Sequence, residues 1–499
     1  MDDRSALVVG IDLGTQSTKV LVYQPQTRQV LAVVQSPHEL TVGDDGRREQ
    51  LASWWIHALH SCFSQIQPEL KKRVIALGVS GQQHGFVPVG ADGAVLAPVK
   101  LWNDTSTVTE CADLHGLLGG DKQVVAMAGN PILPGYTASK ILWLKRHRPA
   151  AYAQLRHILL PHDYLNFYLT GRYTMECGDA SGTGFLDINT RSWCRQILHA
   201  IDPEQDLRAF LPPLISPVQS AGEVLPGVAA ELGLPAGVLV SAGGGDNMMG
   251  AIGTGAIAPG QLTISLGTSG TLYAYAEHPT VAQGGEFAAF CDSTGGYLPL
   301  LCTMNCTAAT EVMRGLFGVS LLEFEALLAA SEPGAGGITA MPFFDGERTP
   351  NCPQGEACFF GLTTANSSRQ NLLRAVVEAT VLGMRTGLGA MRQQGIVARE
   401  ARVIGGGAKS EQWRQILADG LGLRIIVPEQ SETAAFGAAL QALWCYKYAH
   451  GEHLSLVAAV SAHLGLAQSQ CAQPQSTAVY DEIFLRYERH LNVVQRLYT

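Results

Sequence analysis

The sequence lacks any run of about 18 uninterrupted apolar residues, the length that a helix needs to cross a bilayer. A membrane partner is therefore not expected, although hydrophobic residues make up 46% of the 499 positions. The start, Met1-Asp2-Asp3-Arg4, also lacks the basic segment and cleavable apolar region of a signal peptide. These two absences predict a cytoplasmic protein.

Positive charge is scarce as well. The formal net charge is -9, with 34 Lys and Arg against 43 Asp and Glu. A nucleic-acid-binding surface needs basic residues to neutralise phosphates, so no nucleic-acid partner is expected. The 11 cysteines contain no C-x-x-C pair, and no His pair lies at zinc-site spacing from Cys302 and Cys306. We therefore expect reduced thiols and no structural metal.

What is present is a mixture of strand and helix patterns. Apolar runs at 6–11, 74–79 and 238–242 predict buried strands, and each is followed by a turn that contains glycine. Helical patterns at 139–146 and 152–160 lie between these strands. Such a mixture predicts an α/β fold. Because single cores stop growing at about 250–300 residues, two domains are expected.

An internal echo supports two related domains. Ile11-Asp12-Leu13-Gly14-Thr15-Gln16-Ser17-Thr18 matches Ile264-Ser265-Leu266-Gly267-Thr268-Ser269-Gly270-Thr271 at five of eight positions, and a strand-like run follows each copy. Each domain should therefore open with the same hairpin. We place the boundary in the Gly-rich segment at 250–260, which gives domains 1–253 and 254–499.

The second half has a clear order of elements. A helix is predicted over 368–394, with apolar residues at three- and four-residue spacing. A strand at 401–404 leads to a helix at 411–421 with Ser410 as its N-cap. A strand at 424–427, a small-residue helix at 434–448 and a closing helix at 481–497 follow. The closing helix could also pack back on the first domain.

The two echoed turns suit phosphate. Glycine lets the backbone approach an anion closely, and successive N–H groups and a Thr hydroxyl can donate to it. Gly14-Thr15 and Gly267-Thr268-Ser269 could therefore grip a nucleotide from both sides. Asp12 has the neutral Ser265 as its counterpart, and one carboxylate beside a triphosphate suits Mg²⁺. The alternative is a pair of ordinary β-turns.

Two further glycine-rich segments follow predicted strands. Gly405-Gly406-Gly407-Ala408 offers bare backbone for a flat adenosine next to a helix N-terminus, although a plain strand-to-helix turn would look the same. It is not a P-loop, because Gly-Lys-Ser/Thr is missing. Asp246, after Gly243-Gly244-Gly245, could take the proton of a substrate hydroxyl. A helix N-cap over 247–252 is its compatible structural role.

Polar and aromatic residues near another strand end could hold a small polar ligand. Gln83 and His84 lie between Gly81 and Gly85, at the kind of strand end where open α/β sheets bind ligands. Trp102 offers an apolar plane, with Asn103 and Asp104 as polar neighbours. The structural alternatives are a hydrogen-bonded histidine and a core tryptophan.

Taken together, these segments resemble the FGGY family of carbohydrate kinases, within the actin/hexokinase/Hsp70-like ATPase superfamily. The resemblance covers essentially the whole chain in the expected order. Beyond the segments above, it rests on four motifs: Gly135 to Lys140 with Trp143, Gly346-Glu347-Arg348-Thr349-Pro350, Phe359-Phe360-Gly361-Leu362, and Ala434-Ala435-Phe436-Gly437-Ala438-Ala439. It implies two actin-like, ribonuclease H-like α/β domains that flank a central cleft.

Within that family, Gln82-Gln83-His84-Gly85 together with Asp246-Asn247 is similar to the xylulokinases. The resemblance implies that ATP and Mg²⁺ are used to convert D-xylulose to D-xylulose 5-phosphate. Asp246 would be the catalytic base and Asp12 the carboxylate on the Mg²⁺ side. Residues of the first domain would line the sugar site, and the second domain would bind the nucleotide. The sugar-site residues would be Gln83, His84, Trp102, Tyr136, Asp246 and Asn247.

Several alternatives stay open from the sequence. Several relatives have Met where this chain has Gln83, and many have Arg where it has Ser106, so a kinase for ribulose or another pentulose or polyol is a rival. From other classes, a chaperone-type ATPase of the same superfamily and a catalytically silent sugar-binding regulator are rivals. Intact Asp12 and Asp246 argue against a silent protein. A homodimer, and any regulation, are left open.

Overall fold

The structure, a computed structural model, describes residues 6–282, 285–467 and 471–498. The described part of the chain forms two lobes, each built on one central sheet with helices packed against it. None of its helices is both long and apolar enough to span a bilayer.

The first lobe holds these strands: β1 (Leu7–Leu13), β2 (Ser17–Gln24), β3 (Gln29–Pro37), β4 (Thr41–Val42), β5 (Arg48–Gln50), β6 (Val74–Gly81), β7 (Val87–Val89), β8 (Val99–Lys100), β9 (His157–Leu159), β10 (Met175–Glu176), β11 (Leu186–Asp187), β12 (Ser192–Trp193), β13 (Leu214–Ile215), β14 (Ser220–Glu223), β15 (Leu239–Ser241) and β16 (Gly244–Gly245). Its helices are α1 (Ala52–Gln65), α2 (Pro68–Lys71), α3 (Val108–Leu117), α4 (Asp121–Ala128), α5 (Thr137–His147), α6 (Pro149–Gln154), α7 (Pro161–Thr170), α8 (Cys177–Ala180), α9 (Arg195–Ile201), α10 (Pro226–Leu232) and α11 (Asp246–Thr254).

The second half of the chain holds these strands: β17 (Gln261–Leu266), β18 (Gly270–Ala274), β19 (Ala288–Cys291), β20 (Tyr297–Thr303), β21 (Thr339–Met341), β22 (Cys358–Phe360), β23 (Glu400–Ile404) and β24 (Arg424–Ile426). Its helices are α12 (Thr307–Phe317), α13 (Leu321–Ala329), α14 (Arg369–Gln393), α15 (Glu411–Leu421), α16 (Thr433–Ala449), α17 (Leu456–Val460) and α18 (Thr477–Leu497).

Five strands of each central sheet share the same order and directions: β15-β6-β1-β2-β3 in the first corresponds to β24-β23-β17-β18-β20 in the second, while β14 and β19 extend the sheets at opposite edges. The first runs β14-β15-β6-β1-β2-β3, and the second runs β19-β20-β18-β17-β23-β24. In the first, β1 pairs parallel with β6 and antiparallel with β2; in the second, β17 pairs parallel with β23 and antiparallel with β18. The expected pair of related α/β units, each opening with the echoed hairpin, is confirmed.

Helix α16 crosses from the second half of the chain to the first sheet. A Cβ atom on Gly10 of β1 would lie 1.7 Å from the Ala435 carbonyl oxygen, and one on Gly437 would lie 1.8 Å from that of Met249. Such close approach of backbones requires glycine on one side and small residues on the other. The helix predicted at 434–448 therefore joins the lobes through its small residues.

Two sequence-based expectations about helices need correction. Residues 152–160 were expected to be helical, but α6 ends at Gln154 and β9 follows, paired with β7. The partner strand decides this segment, because a short apolar run fits both structures. The closing helix α18 packs on α15 and β21 of the second lobe, so α16 rather than α18 returns to the first sheet. The other helices predicted in the second half are confirmed within a few residues.

Candidate active site

The two aspartates singled out in the sequence are brought together by β6. Asp12 of β1 pairs with Ser80 of β6, and Gly244 of β16 pairs with the same Ser80 from the other side. Asp246, two residues after Gly244, is the first residue of α11. The parallel strands β1, β6 and β16 therefore end at one edge, where both carboxylates lie.

One carboxylate oxygen of Asp12 is already hydrogen-bonded within the protein. Ser80 donates a hydrogen bond of 2.9 Å from its hydroxyl to Asp12 Oδ1. Burial raises the pKa of Asp12, while this hydrogen bond and the positive charge of Lys19 oppose the rise. Lys19 itself forms a 2.5 Å ion pair with Glu432, so its positive charge interacts with both carboxylates, Glu432 and Asp12. No described residue donates a hydrogen bond to Asp12 Oδ2, which leaves that oxygen available.

The pKa of the Asp246 carboxyl group is raised as well. Burial, then the negative charges of Asp12 and Asp179, raise its pKa to about 7. Its Oδ1 accepts hydrogen bonds from Asn247, from the backbone N–H at 2.8 Å and from Nδ2 at 3.0 Å. The N-cap of α11 is Gly245 rather than Asp246. A carboxyl group with a pKa near 7 suits a general base.

Gln83 and His84 lie beside these carboxylates. Gln83 Oε1 accepts a 2.9 Å hydrogen bond from Asn247 Nδ2. Burial, aided by the positive charge of Lys140, lowers the pKa of His84 to about 3, so its ring is neutral at physiological pH. A neutral imidazole has one donor and one acceptor nitrogen, a combination that suits sugar hydroxyls.

His84 is positioned by contacts of its ring with two aromatic rings and by a hydrogen bond to its backbone carbonyl group. Its centroid lies 4.6 Å from that of Tyr136 and 5.7 Å from that of Phe290 on β19. His84 adopts a φ of 64°, and Lys140 donates a 2.7 Å hydrogen bond to its carbonyl oxygen. Because Phe290 belongs to the second sheet, this aromatic cluster spans both lobes.

The first echoed turn is linked to Trp102. Trp102 Nε1 donates a 3.0 Å hydrogen bond to Thr15 Oγ1, and that hydroxyl donates at 3.2 Å to Gln82 Oε1. The Thr15 hydroxyl proton is thus committed within the protein, and Gly14 N donates to the Ser17 carbonyl oxygen at 3.1 Å. The backbone N–H groups that follow, beginning with that of Thr15, are what this turn offers an anion. Trp102 remains 38% exposed, so its ring is available to a ligand.

Unlike the partly exposed Trp102, its polar neighbour Asp104 is not available to a ligand. Asp104 is fully buried and accepts hydrogen bonds from Arg48 N at 2.8 Å, Ser106 Oγ at 2.6 Å and Lys100 Nζ at 3.2 Å. These bonds satisfy the carboxylate within the protein. Asp104 is therefore a structural residue, and Ser106 is one of its supports.

The second echoed turn meets the N-terminus of α12. Thr307 donates to the Gly267 carbonyl oxygen through its N–H at 2.9 Å and its hydroxyl at 2.8 Å, and Ala308 N donates to the Thr268 carbonyl at 3.2 Å. Ser269 continues the turn toward β18. The carbonyl groups of the turn are thus satisfied by a helix end, which leaves its own N–H groups to face an anion.

The glycine triplet lies against this second turn. A Cβ on Gly405 would lie 2.6 Å from the Leu266 carbonyl oxygen, and one on Gly407 would lie 2.8 Å from Leu266 Cβ. These two glycines are explained by packing alone. Gly406 has nothing within 4 Å of its Cβ position, so the chain presents bare backbone there, while Ala408 is buried.

Two site residues were not found from the sequence. Neither residue follows a long apolar strand that ends in a glycine-rich turn, the signal that marked Gln83 and Asp246: Phe290 lies within β19, and Asp179 follows Gly178 in the short helix α8. Only the pairing of β19 with β20 and the position of α8 bring them to the cleft. Within the described chain, no group of three or more His, Cys, Asp or Glu side chains could hold a metal ion.

Comparison with known proteins covers nearly the whole chain. Residues 7–253 match the N-terminal domain model of the FGGY family of carbohydrate kinases, and residues 262–446 match its C-terminal domain model. A xylulose kinase of Haemophilus influenzae is 41% identical over 97% of this chain and 99% of its own length.

Solved structures agree with this match. The xylulose kinase of Bifidobacterium adolescentis superposes with a TM-score of 0.82 at 32% identity, over 97% of this chain and 99% of that one. A kinase from Brucella ovis gives a TM-score of 0.91 at 29% identity, over 98% and 100%. The expected pair of actin-like domains is confirmed.

Proposed function

The chain belongs to the FGGY family of carbohydrate kinases, and from that premise we propose that it transfers the γ-phosphate of ATP to the terminal hydroxyl, O5, of D-xylulose. The product is D-xylulose 5-phosphate. The observation that carries the proposal is the position of Asp246, beside Asp12 on one side and Gln83 on the other. Similarity to xylulose kinases over nearly the full length supports the choice of sugar.

Asp246 acts on the acceptor hydroxyl. Its Oδ1 is occupied by Asn247, so Oδ2 accepts the hydrogen bond of the sugar hydroxyl and then takes its proton. The hydroxyl oxygen forms a bond to the γ-phosphorus as the bond to the ADP oxygen breaks. Because phosphoryl transfer needs little covalent help, positioning and charge neutralisation supply most of the catalysis.

The sugar lies between the two lobes. Gln83, the neutral His84 and Asn247 bind its hydroxyl groups, and Trp102 covers its C–H face. Tyr136 supports the His84 ring and closes the pocket from the side of α5. Neutral donors and acceptors with few fixed charges suit an uncharged polyhydroxy substrate.

ATP is held by the two echoed turns. The backbone of Gly14 and Thr15 faces the phosphates from the first lobe, and that of Gly267, Thr268 and Ser269 faces them from the second. The adenosine lies along 405–408, where Gly406 presents bare backbone. Two facing turns allow closure of the cleft to bring both sets of N–H groups to the triphosphate.

Mg²⁺ fits beside Asp12. The free Oδ2 of Asp12 suits a hard cation or one of its water ligands, since Mg²⁺ bound to a nucleotide takes few protein ligands. Its chemistry would be to neutralise charge on the transferred phosphate. A cation there would also offset the repulsion between Asp12 and Asp246.

The proposal is tested with purified protein in a coupled assay of ADP release. The acceptor panel is D-xylulose, D-ribulose, pentitols, glycerol and gluconate, with ATP alone as the hydrolysis control. D-Xylulose should give the highest kcat/KM. A higher value for D-ribulose or glycerol would refute the substrate while leaving the carbohydrate kinase class intact.

A further inference from the structure

A buried carboxylate lies in the motif Gly346-Glu347-Arg348-Thr349-Pro350, to which the proposed function gives no role. Glu347 is only 4% exposed. Its Oε1 accepts hydrogen bonds from Met304 N at 2.6 Å and from Arg348 N at 2.8 Å. Its Oε2 accepts from Asn305, from the backbone N–H at 3.3 Å and from Nδ2 at 3.1 Å. All four donors are amide groups, so both oxygens of Glu347 act as acceptors only.

The backbone on either side of this carboxylate is fixed as well. Glu347 N donates to the Cys352 carbonyl oxygen at 2.8 Å, and Cys352 N donates back at 2.9 Å. Gly346 has a φ of 68°, and a Cβ there would lie 2.2 Å from the Pro353 carbonyl oxygen. Conformation and space therefore both require glycine before Glu347. The motif holds the Glu347 carboxylate against residues 304–305 from a well-anchored turn.

Residues 304–305 form the joint between β20 and α12. β20 ends at Thr303, and the N-cap of α12 is Cys306. Asn305 makes two further hydrogen bonds: its Nδ2 donates to the Gly346 carbonyl oxygen at 2.7 Å, and its Oδ1 accepts from Phe344 N at 3.1 Å. A segment that is distant in sequence, 344–347, therefore holds this joint in place.

The first residues of α12 in turn hold the second echoed turn. Thr307 donates to the Gly267 carbonyl oxygen through its N–H and its hydroxyl, and Ala308 N donates to the Thr268 carbonyl oxygen. A trans peptide group is planar, and its N–H points away from its C=O. Fixing these two carbonyl groups therefore also fixes the N–H groups of Thr268 and Ser269. In the proposed function, those N–H groups face the phosphates of ATP.

We propose that Glu347 is a positioning residue for the nucleotide: it holds residues 304–305 so that the start of α12 keeps the N–H groups of the second echoed turn directed at the phosphates. In this role Glu347 contacts neither ATP nor the sugar. The inference rests on the proposed kinase function. It assigns a purpose to the buried carboxylate of the motif at 346–350.

The first test is Glu347→Gln. A glutamine amide has one acceptor oxygen and one NH₂ group that can only donate. Each carboxylate oxygen of Glu347 faces two N–H donors, so either orientation of the amide sets its NH₂ group against two donors. The joint must then shift, and the turn shifts with it. Because a hydrogen bond to a charged group contributes about a factor of 10 or more, the Kd for ADP should rise roughly 10-fold.

The kinetic constants should show the same division between nucleotide and sugar. In Glu347→Gln, kcat/KM for ATP should fall roughly 10- to 100-fold, because a displaced phosphate misaligns the reacting atoms. The sugar KM at saturating ATP should change by less than about twofold, because the proposed sugar-binding side chains lie in the first lobe. Steady-state kinetics with each substrate varied in turn measure both.

The phosphate dependence of binding separates displacement of the turn from a general loss of structure. Adenosine lacks phosphates, and its proposed site at 405–408 is a different segment of the chain. Calorimetric titration with ADP and ligand-detected NMR titration with adenosine, both without sugar, give the two Kd values. Glu347→Gln should weaken ADP binding roughly 10-fold and change adenosine binding by less than about twofold. An equal loss for both ligands would overturn the proposal.

The matched control is Glu378→Gln. Glu378 is also buried, and its Oε1 accepts from Gly334 N at 2.9 Å, Arg374 Nε at 2.8 Å and Tyr480 Oη at 2.9 Å. These partners lie before β21, on α14 and on α18. The change removes the charge of a buried ion pair, so the melting temperature should fall. Both Kd values and all kinetic constants should stay at the wild-type values.

A second variant, Asn305→Ala, tests the same joint from its other side, even if Glu347→Gln is too unstable to assay. Alanine removes the donor to Glu347 and Gly346 and the acceptor for Phe344 N. ADP binding should again weaken, with adenosine binding and the sugar KM unchanged. Since both substitutions act on one joint, the loss of ADP affinity in the double variant should be smaller than the product of the two single losses.

Wild-type ADP affinity and wild-type kcat/KM for ATP in either variant would overturn the proposal. Every rate is measured with the acceptor that the unmodified enzyme phosphorylates fastest. A preferred sugar other than D-xylulose would then refute the proposed substrate without affecting this test. An unmodified protein that binds no ADP would refute the kinase proposal, and this inference with it.

Discussion

Asp12 and Asp246 lie on opposite sides of one residue, Ser80, whose backbone pairs with β1 on one flank and with β16 on the other. Ser80 also hydrogen-bonds Asp12 but not Asp246. The two carboxylates are therefore close enough to repel, yet they differ in their partners, and different partners support different chemical roles. This difference leads to separate predictions for the two residues.

Asp246→Asn should lower kcat for sugar phosphorylation by about 10²- to 10⁴-fold, because the amide keeps the shape but cannot take a proton. The KM for ATP should stay close to the wild-type value. Steady-state kinetics with each substrate varied in turn measure both. The variant should melt no lower than the wild type at pH 8, since it removes a buried charge whose pKa is raised to about 7. Near wild-type turnover would exclude Asp246 as the base.

Asp12→Asn should instead change the response to Mg²⁺. The neutral side chain still accepts from Ser80 but attracts a cation less, so the Mg²⁺ concentration for half-maximal rate should rise. Titrations of Mg²⁺ at fixed ATP and sugar, for both aspartate variants, provide the comparison. An unshifted Mg²⁺ titration in Asp12→Asn, or a larger shift in Asp246→Asn, would reverse the two assignments.

Activity should depend on pH through Asp246. Burial and the charges of Asp12 and Asp179 raise its pKa to about 7, and only the ionised form can accept a proton. kcat/KM for the sugar should therefore be constant above pH 7 and fall about tenfold per pH unit below it. The pH profile of Asp246→Asn should lack this acidic limb. A wild-type profile that is flat from pH 5.5 to 8 would contradict the raised pKa.

His84→Asn should weaken sugar binding. Asparagine is chosen because it tolerates the left-handed backbone of His84, with its φ of 64°, better than alanine does. The variant loses the ring that contacts Tyr136 and Phe290, and the sugar KM should rise by an amount equivalent to about 1–3 kcal/mol. The KM for ATP should be unchanged; an equal rise in both KM values would place His84 outside the sugar site.

Gly437→Ala should destabilise the protein although it lies within a helix. Alanine normally stabilises a helix interior by about 1 kcal/mol relative to glycine. Here its Cβ would lie 1.8 Å from the Met249 carbonyl oxygen, so α16 must move away from α11. The control is Gly389→Ala in α14, where nothing lies within 4 Å of the Cβ position. Thermal unfolding should show a lower midpoint for the first variant and an equal or higher one for the second.

The sequence by itself determined the features that are written in short segments. The echoed turns at Gly14 and Gly267 predicted the two related sheets, since a strand-turn-strand pattern is local. The glycine-flanked strand ends likewise predicted where Gln83 and Asp246 lie, because the ends of parallel strands meet at one edge of a sheet. Ser410 was predicted as the N-cap of α15 because a capping residue is also a local pattern. In the structure its hydroxyl accepts a hydrogen bond from Trp413 N at 3.0 Å.

Only the tertiary structure decided the contacts between distant segments. Residues 157–159 pair with β7 and form a strand, although their sequence pattern predicted a helix. Asp104 has a structural role because buried donors satisfy its carboxylate with hydrogen bonds. The Thr15 hydroxyl donates to Gln82, and Asn247 donates to Gln83 from a different segment. No local pattern encodes such contacts, because the hydrogen bonds and burial that define them exist only after the chain has brought the segments together.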